Sequence, residues 1–267
     1  MSTGEPPAEA PDDEWFEGDR SVRAEADWLS CTQPGPLIDV VNGQNAHRFA
    51  ASRRKFFLFG AGCVRRAWRL LTRPESRAAV EAAEAFADGL LTEDEVGAVP
   101  ERAELDWRDW PGGREDPGFY AASAAALLAI DRRGRYGNAE VVPSAVSNVS
   151  RAVAGLSGAE TASGPWWDAQ LAESRAQSDL FRCVMGNPFR PVAFSPEWRT
   201  PTAVAIARGM YESRDFSAMP ILADALEEAG CPEPTVLGHC RDPKGLHARG
   251  CWVVDLVLDR EPPPVVE

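Results

Sequence analysis

At 267 residues, 44% hydrophobic and 26% charged, the chain has enough apolar material for one large domain or two modest ones, and needs no disulfide staples to bury a core. Its formal net charge of −13 argues against bulk nucleic-acid binding, whose affinity comes from Lys and Arg neutralising phosphates. No apolar run is long enough to span a bilayer and the first residues lack a basic-then-apolar leader pattern, so a cytoplasmic location without membrane contact is expected.

Residues 1–19, MSTGEPPAEAPDDEWFEGD, combine Pro, Gly and acidic residues with little apolar content and are expected to form a disordered acidic tail. A helical domain is expected over 20–262, with a seam near 110–118 and a short tail at 263–267. Its first strong element is ASRRKFFLFGAGCVRRAWRLL, a helix with Phe56, Phe59, Cys63, Ala67 and Leu70 inward and with Gly60 and Gly62 open to close packing. Arg53, Arg54, Lys55, Arg65, Arg66, Arg69 and Arg73 make this region basic. The following acidic residues Glu81, Glu84, Asp88, Glu93, Asp94 and Glu95 can pair with them inside the molecule.

TRPESRAAVEAAEAFADG carries a capping-box pattern from Thr72 to Glu75, a first-turn Pro74 and a terminal Gly89, and a second box runs from Thr92 to Glu95. Turn formers mark breaks at 110–118 and 155–165. Between them GFYAASAAALLAID and NAEVVPSAVSNVSRAVAG read as helices, the second interrupted or begun near Pro143. In PWWDAQLAESRAQSDLFRCVM, Trp167, Leu171, Ser174, Ser178, Phe181 and Val184 share one face, while Asp168, Glu173, Arg175 and Asp179 fall elsewhere. FSAMPILADALEEAG repeats Phe216, Met219, Leu222, Leu226 and Ala229 at helical steps, with Pro220 in the first turn and Gly230 as the stop. VVDLVL suits a strand by its β-branched residues, but Trp252, Val253, Leu256 and Val257 form a helical stripe, and helix is the expectation. The fold class is therefore mainly α, a globular array of antiparallel helices with little or no sheet.

Chemistry concentrates near the C-terminus, where His239, Cys240, His247 and Cys251 lie close together, with Cys231 as a substitute. Zinc takes four Cys and His ligands in a tetrahedron, and a closed set of four is structural. The obstacle is spacing: there is no CxxC pair, and adjacent His239 and Cys240 point different ways on a helix. A second group of candidates, for binding, comprises Trp166, Trp167, Asn187 and Arg190, although core packing and turn geometry also account for them. Catalytic patterns such as a phosphate loop, a GxSxG elbow or HExxH are absent. A Cys/His-dependent enzyme using His47 with Cys63 or Cys183 stays open.

The phrases ADWLSCTQPGPLIDVV, KFFLFGAGCVRRAWRLLT, GNPFRPVAFSPEWRTPT, YESRDFSAMPILADALEEAGC and HARGCWVVDLVL resemble an uncharacterised bacterial family common in planctomycetes and other GC-rich bacteria, over most of residues 24–260. Members often have cysteines at the positions of Ala61, Cys63 and Val64, of which only Cys63 is a cysteine here. The His239, Cys240, His247 and Cys251 pattern matches the family form. The family implies no activity, and its members occur alongside proteins linked to toxin immunity. The expected role is a noncatalytic helical protein-interaction module, an adaptor or immunity-associated component with a protein partner. The alternative is a zinc-binding structural or regulatory protein.

Overall fold

Helical periodicity, proline at first turns and a near absence of alternating segments lead to a mainly helical fold. The computed structural model describes residues 22–42, 52–92, 95, 110–130 and 137–260. Among them are eleven α-helices and no strand: α1 (Glu25–Ser30), α2 (Pro34–Asn42), α3 (Arg53–Arg66), α4 (Pro74–Ala87), α5 (Pro117–Ile130), α6 (Gly137–Gly155), α7 (Gly164–Met185), α8 (Pro201–Ser213), α9 (Met219–Glu228), α10 (Pro234–Arg241) and α11 (Trp252–Val257). The expected tails at 1–19 and 263–267, and His47, lie outside the described residues.

The basic helix α3 is the hub. It packs on α4, α5, α6 and α7, and every residue from Lys55 to Val64 is buried. Its glycines let α5 and α7 come close. A β-carbon at Gly60 would lie 2.5 Å from Leu128 Cδ2 on α5, and one at Gly62 would meet Leu180 and Ala248 at 3.2 and 3.3 Å. The inward face expected from periodicity is buried at Phe56, Phe59, Cys63 and Ala67. The helix stops earlier than expected, at Arg66, and the chain continues as a 3-10 turn over Trp68–Leu70.

Helix ends follow local chemistry with some corrections. Ser52 caps α3 by accepting from the Lys55 N–H at 3.3 Å. Helix α4 begins at Pro74 with Arg73 as N-cap, one residue beyond the expected Thr72. The second box does form: Glu95 accepts from Thr92 N–H at 2.9 Å, and Thr92 Oγ1 accepts from Glu95 N–H at 3.3 Å. Helix α6 continues through Pro143. The VVDLVL run is helical, and all of Trp252–Val257 is buried. Residues 110–118 are a largely exposed turn, closed at its end by the Trp110 ring over Gly118, with the Arg73 guanidinium 4.8 Å from that ring's centre.

Two apolar clusters result. The first joins α2 to α7 around Phe56, Phe59, Leu128, Val149 and Phe181. The second gathers α8 to α11 around Tyr211, Leu222, Leu226, Val236 and Val254. The last turns of α7 serve both, because Phe181 and Val184 face the first cluster and Cys183 the second. That helix also departs from its expected face: Glu173 is 3% exposed, and Trp166 is buried where Trp167 and Leu171 are only half-buried. The Arg66 guanidinium meets the Glu173 carboxylate through two bonds of 2.7 and 2.9 Å, which lets a charged residue occupy a packed face that periodicity reserves for apolar ones.

A buried ion cluster locks the C-terminal helix against α3. Lys55 and Asp255 are each 0% exposed, and Lys55 Nζ donates to Asp255 at 2.6 Å. Arg54 adds two bonds to the same carboxylate, at 2.8 and 3.0 Å. Such a charge is tolerated away from water only because its partners fill its hydrogen-bonding sites.

Candidate metal centre

The sequence delivers four ligand-bearing residues to one place from three directions. Cys183 lies near the end of α7, which stops at Gly186 with φ of 73°. His239 is in the last turn of α10. His247 is in the loop that follows, and Cys251 is the N-cap of α11. Gly250 makes the final approach possible. Its φ is 86°, and a β-carbon there would come within 2.9 Å of Leu58 Cδ1, so the chain passes close to α3 where only glycine fits. Lys55 Nζ holds the Gly250 carbonyl at 2.9 Å, fixing the backbone directly before Cys251.

One ligand atom from each of Cys183, His239, His247 and Cys251 lies within 4.8 Å of every other. His239 Nε2 is 3.2 Å from Cys251 Sγ, and Cys183 Sγ is 3.6 Å from His247 Nδ1. Around zinc, with bonds of about 2.3 Å to sulfur and about 2.0 Å to nitrogen, tetrahedral ligand atoms are spaced by roughly 3.3–3.8 Å. The group is near that spacing. The two imidazoles stand edge to face, 87° apart with centroids separated by 4.9 Å, so different ring edges can address one centre. Trp252 and Phe216 border the histidines at 5.4 and 6.2 Å, supplying an apolar surround.

Electrostatics distinguish the two thiols. Burial works to raise the Cys251 thiol, but hydrogen bonding with Cys183, the charge and bond of His239, and the bond of His247 hold it well below the ordinary thiol value. Cys183 moves the opposite way. Burial and the neighbouring Cys251 raise it, against a backbone N–H bond from Ala248 and the charge of Lys55. The hydrogen bonds and histidines therefore favour the anionic form at Cys251, while at Cys183 burial and the neighbouring sulfur outweigh the Ala248 N–H and the Lys55 charge.

The structure corrects the expected ligand set in one member. Cys240 is outside the group; it is buried in the second core with Cys231, and burial pushes both thiols up. The reason is helical phase, since residues adjacent on α10 are about 100° apart and His239 takes the direction toward Cys251. Cys183 replaces it. From the sequence Cys183 is only one candidate thiol for pairing with His47, and no spacing motif links it to the C-terminal cluster.

The other predicted binding residues serve the fold. Asn187 donates to Glu25 at 2.8 Å and Arg190 reaches the same carboxylate at 3.0 Å, so the GNPFRP turn anchors α1. Trp166 is buried and packs edge to face on Trp167, 4.7 Å between centroids, near the start of α7. At 1.5 Å per residue this pair is roughly 25 Å along the helix from Cys183. No helix among the described residues is long and apolar enough to cross a membrane.

No family model, curated protein or solved structure matches the chain.

Proposed function

We propose that this is a zinc-binding protein in which Cys183, His239, His247 and Cys251 form a closed structural centre. The observation that carries the reading is the convergence of four Cys and His ligand atoms within 4.8 Å of one another. Four protein ligands leave no open position for a substrate, which favours a noncatalytic, structural or regulatory role over Cys/His hydrolysis. The metal would clip the α10–α11 segment to α7 and so join the second core to the first. A reducing cytoplasm would keep both thiols available as ligands. Any adaptor or immunity-associated role would then depend on a C-terminal unit held in place by metal.

The test is metal content by mass spectrometry on protein prepared without a histidine tag. About one zinc per chain is expected in the unmodified protein, as one closed four-ligand site requires. Cys183→Ala should lose it and Cys240→Ala should keep it. Metal-free native protein, or full retention in Cys183→Ala, would overturn the assignment.

A further inference from the structure

Beside the proposed metal centre, with His247 in its wall, is a cleft of about 200 Å³. Arg65, Arg66, Arg214 and Arg249 line it, and Glu84 is the carboxylate among them. Three of these arginines converge on that one carboxylate. Arg65 makes bonds of 2.5 and 2.9 Å to its two oxygens. Arg214 makes a bond of 3.1 Å through Nε and a second, shorter one through its terminal nitrogen. Arg249 reaches it at 3.4 Å. Arg66 is held by Glu173.

The neighbouring carboxylates do not restore balance. Asp88 is shared by Arg249, Arg54 and Arg260 at 3.2, 3.5 and 2.8 Å. Asp255 is shared by Arg54 and Lys55. Six cations (Arg54, Lys55, Arg65, Arg214, Arg249 and Arg260) therefore share three carboxylates, Glu84, Asp88 and Asp255. Glu81 adds one more negative charge beside Arg214, and among the described residues the cluster stays positive, in a chain whose net charge is −13. Arg249 also has a buried Nε with no hydrogen-bond partner among the described residues. Confining like charges in a partly dry cleft is unfavourable unless an anion offsets them, and arginine forks match the geometry of phosphate and carboxylate.

We infer that this cleft binds a small ligand through a phosphate or carboxylate group held by Arg65, Arg214 and Arg249. A water takes about 30 Å³ of liquid volume, so the cleft has room for an oxyanion and several further heavy atoms. Leu180 and Phe216 on its wall favour an apolar or aromatic remainder next to the anionic head. The inference stands on the arginines and does not require the metal.

The experiment is calorimetric titration of the full chain with inorganic phosphate and, separately, acetate, at low ionic strength, with and without prior chelation. Saturable binding of one probe below ~10 mM is expected, and the probe that binds more tightly identifies the head group. Arg214→Gln should weaken it at least about tenfold, because a charge-assisted pair is lost while Arg65 and Arg249 still satisfy Glu84. Arg175→Gln, an exposed charge on α7, should leave binding unchanged. Arg214→Lys, which keeps the charge and removes the fork, should give an intermediate loss, and a thermal melt verifies that each variant is folded. No saturation with either probe, or equal affinity in native protein and Arg214→Gln, would overturn the inference.

Discussion

Asp255 shows how one residue can carry more than its sequence context suggests. In CWVVDLVL it looks like a polar interruption of an apolar run, yet it is fully buried and accepts from both Arg54 and Lys55. Removing it strands the ammonium of Lys55, which is 0% exposed, and leaves Arg54 with only Asp88 and the Tyr211 hydroxyl among the described residues. Asp255→Ala should destabilise the protein by about 3–5 kcal/mol, the range for breaking a buried pair from one side. Urea denaturation would measure this, and a loss under about 1 kcal/mol would mean that water reaches Lys55. The same limit applies to Cys183 and Glu173. Each reads as a helix-face position, core or solvent, until its partner from another element is known.

At the level of elements, the helices were largely legible because their signals are local. Pro220 opens α9, Gly230 follows it with φ of 83°, and the Thr92–Glu95 box closes as its residue types predict. The stripe Trp252, Val253, Leu256 and Val257 correctly favoured helix over strand. Glycine is where local and tertiary demands separate. On α8 Gly209 is exposed, with nothing within 4 Å of an added β-carbon, whereas on α3 the β-carbon of Gly60 would overlap Leu128. Gly209→Ala should stabilise by about 0.5–1 kcal/mol through helix propensity. Gly60→Ala should instead cost about 1–3 kcal/mol, because the α3–α5 contact must open. Thermal melts of the two variants should shift in opposite directions; stabilisation by both would mean that Leu128 moves aside freely.

For the whole molecule, the proposed centre lies where the second core meets α7, so metal and architecture are linked. Anything that binds the folded state alone stabilises it, and a structural metal does so strongly. Chelation should lower the melting temperature and raise amide hydrogen exchange first in residues 234–258. Exchange in α3 should rise least, since that helix is packed by four others in the first core. Uniform acceleration across both regions would show that the two cores unfold as one and that the metal does not act locally. The two opposite charges of the design also belong to this scale. The chain is acidic overall, while its interior around Glu84 and Asp88 is basic.

The sequence by itself determined the helical class, most ends of the seven helices it marked, the inward residues of α3 and the presence of His239, His247 and Cys251 in a candidate metal set, while α1, α2, α8 and α10 went unmarked. These are properties of spacing and capping, which act over a few residues. The expectation that the basic segment can pair with the acids after it is met at Arg65 with Glu84 and Arg54 with Asp88, although the sequence did not name those pairs. Tertiary structure alone decided that Cys183, and not Cys240, completes the group, that Glu173 and Asp255 are buried partners of distant cations, and that four arginines line one cleft. Each of those outcomes depends on how far-apart helices rotate and meet around α3, and local periodicity fixes which face of a helix is apolar without fixing what stands opposite it.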